Sequence, residues 1–265
     1  MNAVTVIGLG AMGQSLGQLF LDRGRELTLW NRTADKAQPL VARGARWADS
    51  AAAAMARNPL VVMCVYDYRA VDEILAQPGV AEALAGKTLV QLTTGSPEDA
   101  RASAAWAARH GVAYLDGAIQ AAPSQMGQAD TPVLISGDEA VFKQAKPLLS
   151  DLAGNYVFLG PQADAAATMD LATLSYVYGA FVGFLQGALI AESQGQDVAL
   201  LGRLVADISP SFGAFFAHEG QVISSGDFRI TESPLRISVE ATRRIAEFSR
   251  AHRLDTQFPD LAASL

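Results

Sequence analysis

Cysteine is almost missing from this chain of 265 residues, Cys64 being the only one. That excludes an intramolecular disulfide and any cysteine-based metal cluster. Cys64 lies in an apolar run, where a small buried residue is expected rather than a reactive thiol. Histidine is nearly as scarce: His110, His218 and His252 are too scattered for a metal site or a Ser-His-Asp set, so no metal is expected. Basic runs are absent, and the net charge is -7, which excludes the clustered cations that grip a nucleic-acid backbone. No basic n-region precedes the apolar start, so no secretory signal is read and a cytoplasmic address is expected. Between Asp170 and Glu192 charge disappears altogether, over a length sufficient to span a bilayer. Thr173, Ser175, Tyr176, Tyr178 and Gln186 interrupt that stretch, its flanks are acidic and no Lys or Arg anchors its ends, so a membrane partner is not expected either.

What is present is a globular composition, half hydrophobic and 18% charged. Short β-branched or apolar runs at Val4 to Ile7, Leu27 to Trp30, Leu60 to Val65, Thr88 to Leu92 and Ala113 to Leu115 alternate with helical patterns, the first from Gly13 to Arg23. Strands alternating with helices imply βαβ units, hence an α/β doubly wound parallel sheet. Ser96-Pro97-Glu98-Asp99 reads as a helix start that should run to about His110. A strand at Val133 to Ser136, a helix from Glu139 to Leu152 and a strand at Tyr156 to Leu159 complete this half, with a boundary near Gly160-Pro161. Beyond it strand signals vanish. Residues 161–194 read as one long interdomain helix and 195–265 as an all-helical C-terminal domain. Along the long helix Ser175, Gly179, Gly183, Gly187 and Ala191 recur every four residues and lay down a ridge of small side chains. Glycine costs a helix up to roughly 1 kcal/mol per position relative to alanine, so a closely packed partner is expected, from a second chain or from the same one.

Gly8-Leu9-Gly10-Ala11-Met12-Gly13 matches G-x-G-x-x-G and sits directly after a strand at the opening of a helix. Gly8 can make the tight turn, Gly10 can let the backbone approach a pyrophosphate, and Gly13 can bring helix and strand together. At the end of the second strand, where an NAD site places an acid for the ribose hydroxyls, the chain reads Trp30-Asn31-Arg32-Thr33 with Lys36 following. Arg32 offers a planar guanidinium suited to a 2′-phosphate, Lys36 a second charge, and Asn31 and Thr33 neutral hydrogen-bonding groups, so NADPH is favoured. Ordinary solvated helix-start residues are the alternative for Arg32 and Lys36.

These segments, with Thr93-Thr94-Gly95-Ser96-Pro97, Ile119 to Gly127, Met169-Asp170-Leu171-Ala172 and Tyr178-Gly179, resemble the β-hydroxyacid dehydrogenase superfamily, and within it imine reductases and reductive aminases. The resemblance covers nearly the whole chain. It implies an N-terminal Rossmann domain, a long interdomain helix and a helical domain that wraps reciprocally around a partner in a domain-swapped homodimer. It adds Cys64, Val65, Tyr66, Val71, Thr93 and Thr94 to the residues expected at the cofactor. It makes Asp170 and Tyr178 the expected catalytic pair, and Gln120, Ala121, Met126, Leu174, Phe181, Phe212, Phe215, Phe216, Leu235, Ile237 and Ser238 the expected lining of the substrate pocket, core packing being the alternative for the helical-domain members. Two departures stand out. Thr94 replaces an asparagine common in reductive aminases, which bears on condensation of ketone with amine. The sequence stops at Leu265, where relatives usually continue through a further helix, so one wall of the site is expected to be incomplete or differently built.

The resemblance also sharpens an absence. Hydroxyacid dehydrogenases of the superfamily use a lysine on the interdomain helix, and no lysine follows Lys146. Carbonyl reduction builds negative charge on oxygen, whereas an iminium begins positive and would be repelled by lysine. Asp170 reverses the sign. Eight residues on a helix correspond to roughly 12 Å of rise and about 80° of rotation, and long side chains lean toward the N-terminus, so the Tyr178 hydroxyl can reach back toward Asp170 across a small substrate. The expected function is NADPH-dependent reduction of small cyclic imines. An NADPH-dependent hydroxyacid or carbonyl reductase, and a non-catalytic NADP-binding sensor, remain as alternatives, as does a reading of Asp170 as a helix-flank carboxylate with Tyr178 in the core.

Overall fold

The structure, a computed structural model, describes residues 2–229 and 235–264, with the side chain of Leu235 outside that description. The chain divides into two units, Met1–Leu174 and Ser175–Leu265. The first contains β1 (Ala3–Ile7), α1 (Ala11–Asp22), β2 (Glu26–Trp30), α2 (Gln38–Val41), β3 (Arg46–Trp47), α3 (Ala51–Arg57), β4 (Leu60–Met63), α4 (Tyr68–Leu75), α5 (Val80–Leu84), β5 (Thr88–Gln91), α6 (Pro97–Arg109), β6 (Ala113–Ile119), β7 (Pro132–Gly137), α7 (Glu139–Leu149) and β8 (Asn155–Phe158). The strands form one sheet in the order β3-β2-β1-β4-β5-β6-β7-β8. Both faces are covered, so alternate residues of a strand enter different cores. Val4 and Val6 pack with Leu16 and Phe20 of α1 on one side; Ile7 packs with Val61, Met63, Val71 and Ile74 on the other.

The expectation of a parallel sheet needs one correction: β7 runs antiparallel to β6, pairing Leu115 with Gly137 and Ile119 with Val133. The connection between them holds only a short 3-10 turn, Pro123–Gln125, and without a crossover helix the chain can only fold back beside the strand it has left. β6 also continues to Ile119 instead of ending at Leu115, which brings Asp116 into the sheet and Gln120 to its end. The expected start of α6 is observed, with a reciprocal capping box between Ser96 and Asp99.

The last elements are α8 (Ala165–Ser193), which crosses the division between the units, α9 (Val198–Ser225), α10 (Leu235–Ala251) and α11 (Gln257–Ser264). Within the second unit the small-residue ridge has neighbours from its own chain at two positions. A Cβ on Gly183 would lie 3.5 Å from the Phe258 ring of α11, and one on Gly187 3.6 Å from Leu201 of α9, while nothing approaches Gly179 within 4 Å. Gln186 is buried and donates to Ser249 Oγ at 3.0 Å and to the Asp255 carbonyl at 3.2 Å, fixing α8 to α10. Much apolar surface is left uncovered: Tyr176, Val177, Phe181 and Leu185 on α8, and Leu204, Ile208, Phe212, Phe215 and Phe216 on α9. By length and composition alone α8 and α9 could each cross a membrane.

Candidate active site

β1 lies between β2 and β4, so the strand order reverses at the β1/β4 junction, where doubly wound sheets bind ligands beyond the strand ends. A pocket of about 400 Å³ opens there, walled by Gly8 to Gly13, Trp30 to Thr33, Lys36, Cys64 to Tyr66 and one side of α4. Gly8 has φ +97°, and a Cβ on it would meet the Cys64 carbonyl oxygen at 2.2 Å. A Cβ on Gly13 would meet the Gly8 carbonyl oxygen at 2.1 Å. Gly10 faces open space, which is the room a pyrophosphate needs beside the backbone. It is also the N-cap of α1 and supplies no side-chain cap, leaving the first-turn N-H groups and the positive end of the helix dipole to an anion.

Asn31 has a structural task in this cradle. Its Oδ1 accepts from the Leu9 N-H at 2.9 Å and its Nδ2 donates to the Thr33 carbonyl at 2.9 Å, tying the glycine turn to the segment that carries the cations. Arg32 is exposed, with its guanidinium 3.7 Å from the Glu73 carboxylate of α4. The residues therefore fit a dinucleotide: a glycine cradle with room for diphosphate, and Arg32 and Lys36 free to turn toward a 2′-phosphate.

Asp170, on the portion of α8 that belongs to the first unit, is buried, with 4% of its surface exposed. Gln120 Nε2 donates to its Oδ1, and Gln120 Oε1 accepts from the Thr173 hydroxyl at 2.8 Å. Burial pushes the Asp170 carboxyl above its ordinary range and the Gln120 hydrogen bond partly offsets this. The resulting group is a largely dry carboxylate with one fixed donor, able to hold a cation.

Thirteen of the residues expected at the cofactor line the pocket: Gly8 to Gly13, Asn31, Arg32, Thr33, Lys36, Cys64, Val65 and Tyr66. Burial pushes the Cys64 thiol up to about 11, so it is a wall and not a nucleophile. Thr93 is buried behind the wall, its hydroxyl accepting from the Val65 N-H at 3.0 Å, and Thr94 is exposed at the strand end. Val71 is a correction: it is fully buried in the core with Tyr68 and Leu75, and Ala70, Glu73 and Ile74 of α4, with Gln77 just beyond it, line the pocket instead. Met126 is likewise core, packed under the sheet with Leu16 and Leu152. Ala121 and Leu174 are half-buried. In the second unit Tyr178, Phe181, Phe212, Phe216, Ile237 and Ser238 are exposed, so Tyr178 is not packed in a core of its own chain, the alternative to its catalytic role. Phe216 makes an edge contact with Tyr176 at 4.9 Å and packs near Phe212 at 6.3 Å. Glu73 was not foreseen; its signal was the helical spacing of Ala70, Glu73 and Gln77 after the Cys64 to Tyr66 turn. Among the described residues no group of three or more His, Cys, Asp or Glu could hold a metal.

A doubly wound sheet with its glycine cradle at the switch point, followed by a helical unit, defines a dinucleotide-dependent oxidoreductase. Residues 3–160 match the NAD-binding domain of 6-phosphogluconate dehydrogenase and residues 162–265 the NADPH-dependent reductive aminase-like C-terminal domain. The chain is 31% identical to an NADPH-dependent reductive aminase of Aspergillus oryzae, over 96% of this chain and 86% of that protein. An imine reductase from Myxococcus stipitatus in complex with NADP+ superposes with a TM-score of 0.92 at 33% identity, covering 99% of this chain and 92% of the other. A reductive aminase from Aspergillus terreus, in complex with NADPH4, cyclohexanone and allyl amine, does so with 0.89 at 32% identity, covering 99% and 91%. The chain belongs to the imine reductase and reductive aminase family, and its cofactor is NADP(H).

Proposed function

We propose that the protein reduces carbon-nitrogen double bonds of small cyclic imines to amines, with Asp170 as the anchor of the substrate cation. The observation that carries this reading is the buried Asp170 carboxylate held by Gln120 in a chain with no lysine after Lys146. NADPH, when bound, supplies the hydride. The protein has four tasks. The Gly8 to Gly13 turn holds the diphosphate, and Arg32 with Lys36 selects the 2′-phosphate. Asp170 stabilises the positive nitrogen of a protonated imine, which a dry carboxylate does far better than one in water. As hydride reaches the carbon and the nitrogen regains its lone pair, Tyr178 donates a hydrogen bond to it.

A homodimer belongs to the same proposal. Contiguous apolar surface on the scale of the exposed α8 and α9 residues is costly for a monomer in water. Arg203, Asp207, His218 and Glu219 punctuate α9 and favour a second copy over lipid as the cover. The aromatic residues of that copy's helical unit, among them Phe212 and Phe216, then offer apolar and cation-π surface to the substrate.

Loss of NADPH absorbance with a five- or six-membered cyclic imine, set beside a panel of 3-hydroxyacids with NADP+, tests the activity. Turnover of the imine alone is expected. Turnover of hydroxyacids alone would replace the reading with carbonyl chemistry, and NADPH binding without turnover of either would replace it with a sensor.

A further inference from the structure

A second buried carboxylate, Asp116 of β6, has no part in the chemistry above. It is 2% exposed, and its Oδ1 accepts from two phenols, Tyr68 of α4 and Tyr114 of β6, each at 3.1 Å. The backbone N-H of Ala167, in the first turn of α8, lies beside the carboxylate and favours its charged form. Directly across the β6/β7 ladder Asp116 is paired with Ser136, whose hydroxyl donates to the Ala163 carbonyl at 3.0 Å and accepts from the Ala166 N-H at 3.1 Å. Of two facing strand residues, Ser136 thus holds the Ala166 N-H and Asp116 stands beside the next one, at the start of the helix on which Asp170 stands one turn later. The other end of the cluster reaches the cofactor wall. Tyr68 opens α4 two residues after Tyr66, and its ring lies so close to Gly95 that a Cβ there would meet it at 2.2 Å.

We propose that Asp116, gripped by Tyr68 and Tyr114, is a positioning residue that sets the start of α8 and so the placement of the Asp170 carboxylate relative to the cofactor wall. The inference rests on the imine-reductase reading for its kinetic consequence. The ionised form does the holding, because a charged carboxylate accepts from the two phenols and the neighbouring N-H more strongly than the neutral acid does. The charged and titratable groups around it are Tyr68 with Asp99 behind it, Tyr114 beside it and Asp170 on α8; its neighbours in the sheet, Gln91 and Ser136, are neutral. Burial pushes the Asp116 carboxyl up to about 7, the like charge of Asp170 adding to the rise and the three donors opposing it. The hold on α8 is therefore complete above neutrality and weakens as pH falls.

The test compares the holoenzyme with Asp116→Asn and Tyr68→Phe. Asp116→Asn is expected to lower kcat for a cyclic imine about tenfold at pH 8 while NADPH Kd stays within about twofold. Its amide exchange at residues 166–170 should accelerate at least about tenfold. Tyr68→Phe removes a donor to the carboxylate, so the pH below which kcat declines should move upward; Asp116→Asn should show no such decline. Wild-type kcat and exchange in Asp116→Asn would overturn the inference. So would a parallel loss of NADPH affinity, melting temperature and kcat in both variants with the pH profile unmoved, which is what damage to the fold alone would give. If the wild type reduces no imine, the activity reading falls by itself, and the exchange of residues 166–170 still decides the Asp116 link.

Discussion

Replacing Asp170 by Asn keeps size and hydrogen bonding but removes the charge, and loss of a buried charge-assisted contact is worth about 1.5 to 3 kcal/mol, so kcat/KM for imines should fall about ten- to a hundredfold. NADPH affinity should hardly change; imine reduction at the wild-type rate would return Asp170 to a structural role. The Asp170 carboxyl is raised by burial and lowered by Gln120, so Gln120→Leu should move the acid limb of kcat/KM to higher pH, read from a rate profile between pH 4 and 9. Asp116 has a consequence for stability as well. Its folded carboxyl lies at about 7 and its unfolded one near the ordinary value of about 4, so between these the folded chain holds the extra proton. Its contribution to stability is present below that window and lost as pH rises through it. Melting curves of Asp116→Asn should lack this part of the decline. Glu73 lies 3.7 Å from the Arg32 guanidinium, where it would compete with the 2′-phosphate that Arg32 is proposed to hold. Glu73→Gln should tighten NADPH by about two- to fivefold, the range of an exposed pair, and leave NADH unchanged in a titration.

At the level of elements, the glycine turn allows a sharp comparison. A Cβ on Gly13 would strike the Gly8 carbonyl, whereas one on Gly10 would meet nothing. Gly13→Ala should therefore lower both melting temperature and NADPH affinity. Gly10→Ala should weaken NADPH at least about tenfold with the melting temperature retained, since its methyl fills only the space meant for phosphate. This turn was legible in the sequence because strand, glycines and helix are contiguous and local rules fix them. So was the helix start at Ser96, where the capping box is written in four residues. The antiparallel return of β7 was not legible, since strand direction follows from what the intervening segment fails to build. Val71 and Met126 were misplaced for a related reason: an apolar residue next to a site reads the same whether it faces ligand or core, and only the helix phase or the sheet layer decides. The Tyr68, Tyr114 and Asp116 cluster joins residues 48 apart in sequence, and no spacing rule reaches that far.

On the scale of the whole molecule, the unit Ser175–Leu265 leaves an unusual share of its aromatic and aliphatic side chains bare, Tyr178, Phe181, Phe212 and Phe215 among them. Sedimentation should find a dimer down to nanomolar concentration, and a stable, active monomer there would refute the proposed assembly. Substituting Phe212 by Arg should produce monomers that aggregate, while the N-terminal unit, with its two filled cores, still binds NADPH. In the proposed dimer, where a second copy covers the bare faces of α8 and α9, the strength of the fold would be a property of the solution rather than of one chain. When the folded form is a pair and the unfolded form is single, dilution favours unfolding by mass action, so the melting temperature should climb with protein concentration. Refolding from denaturant would then compete between orderly pairing and indiscriminate adhesion of the same surfaces, both faster in crowded samples. Recovery of active protein should peak at an intermediate concentration, where partners meet before strays accumulate.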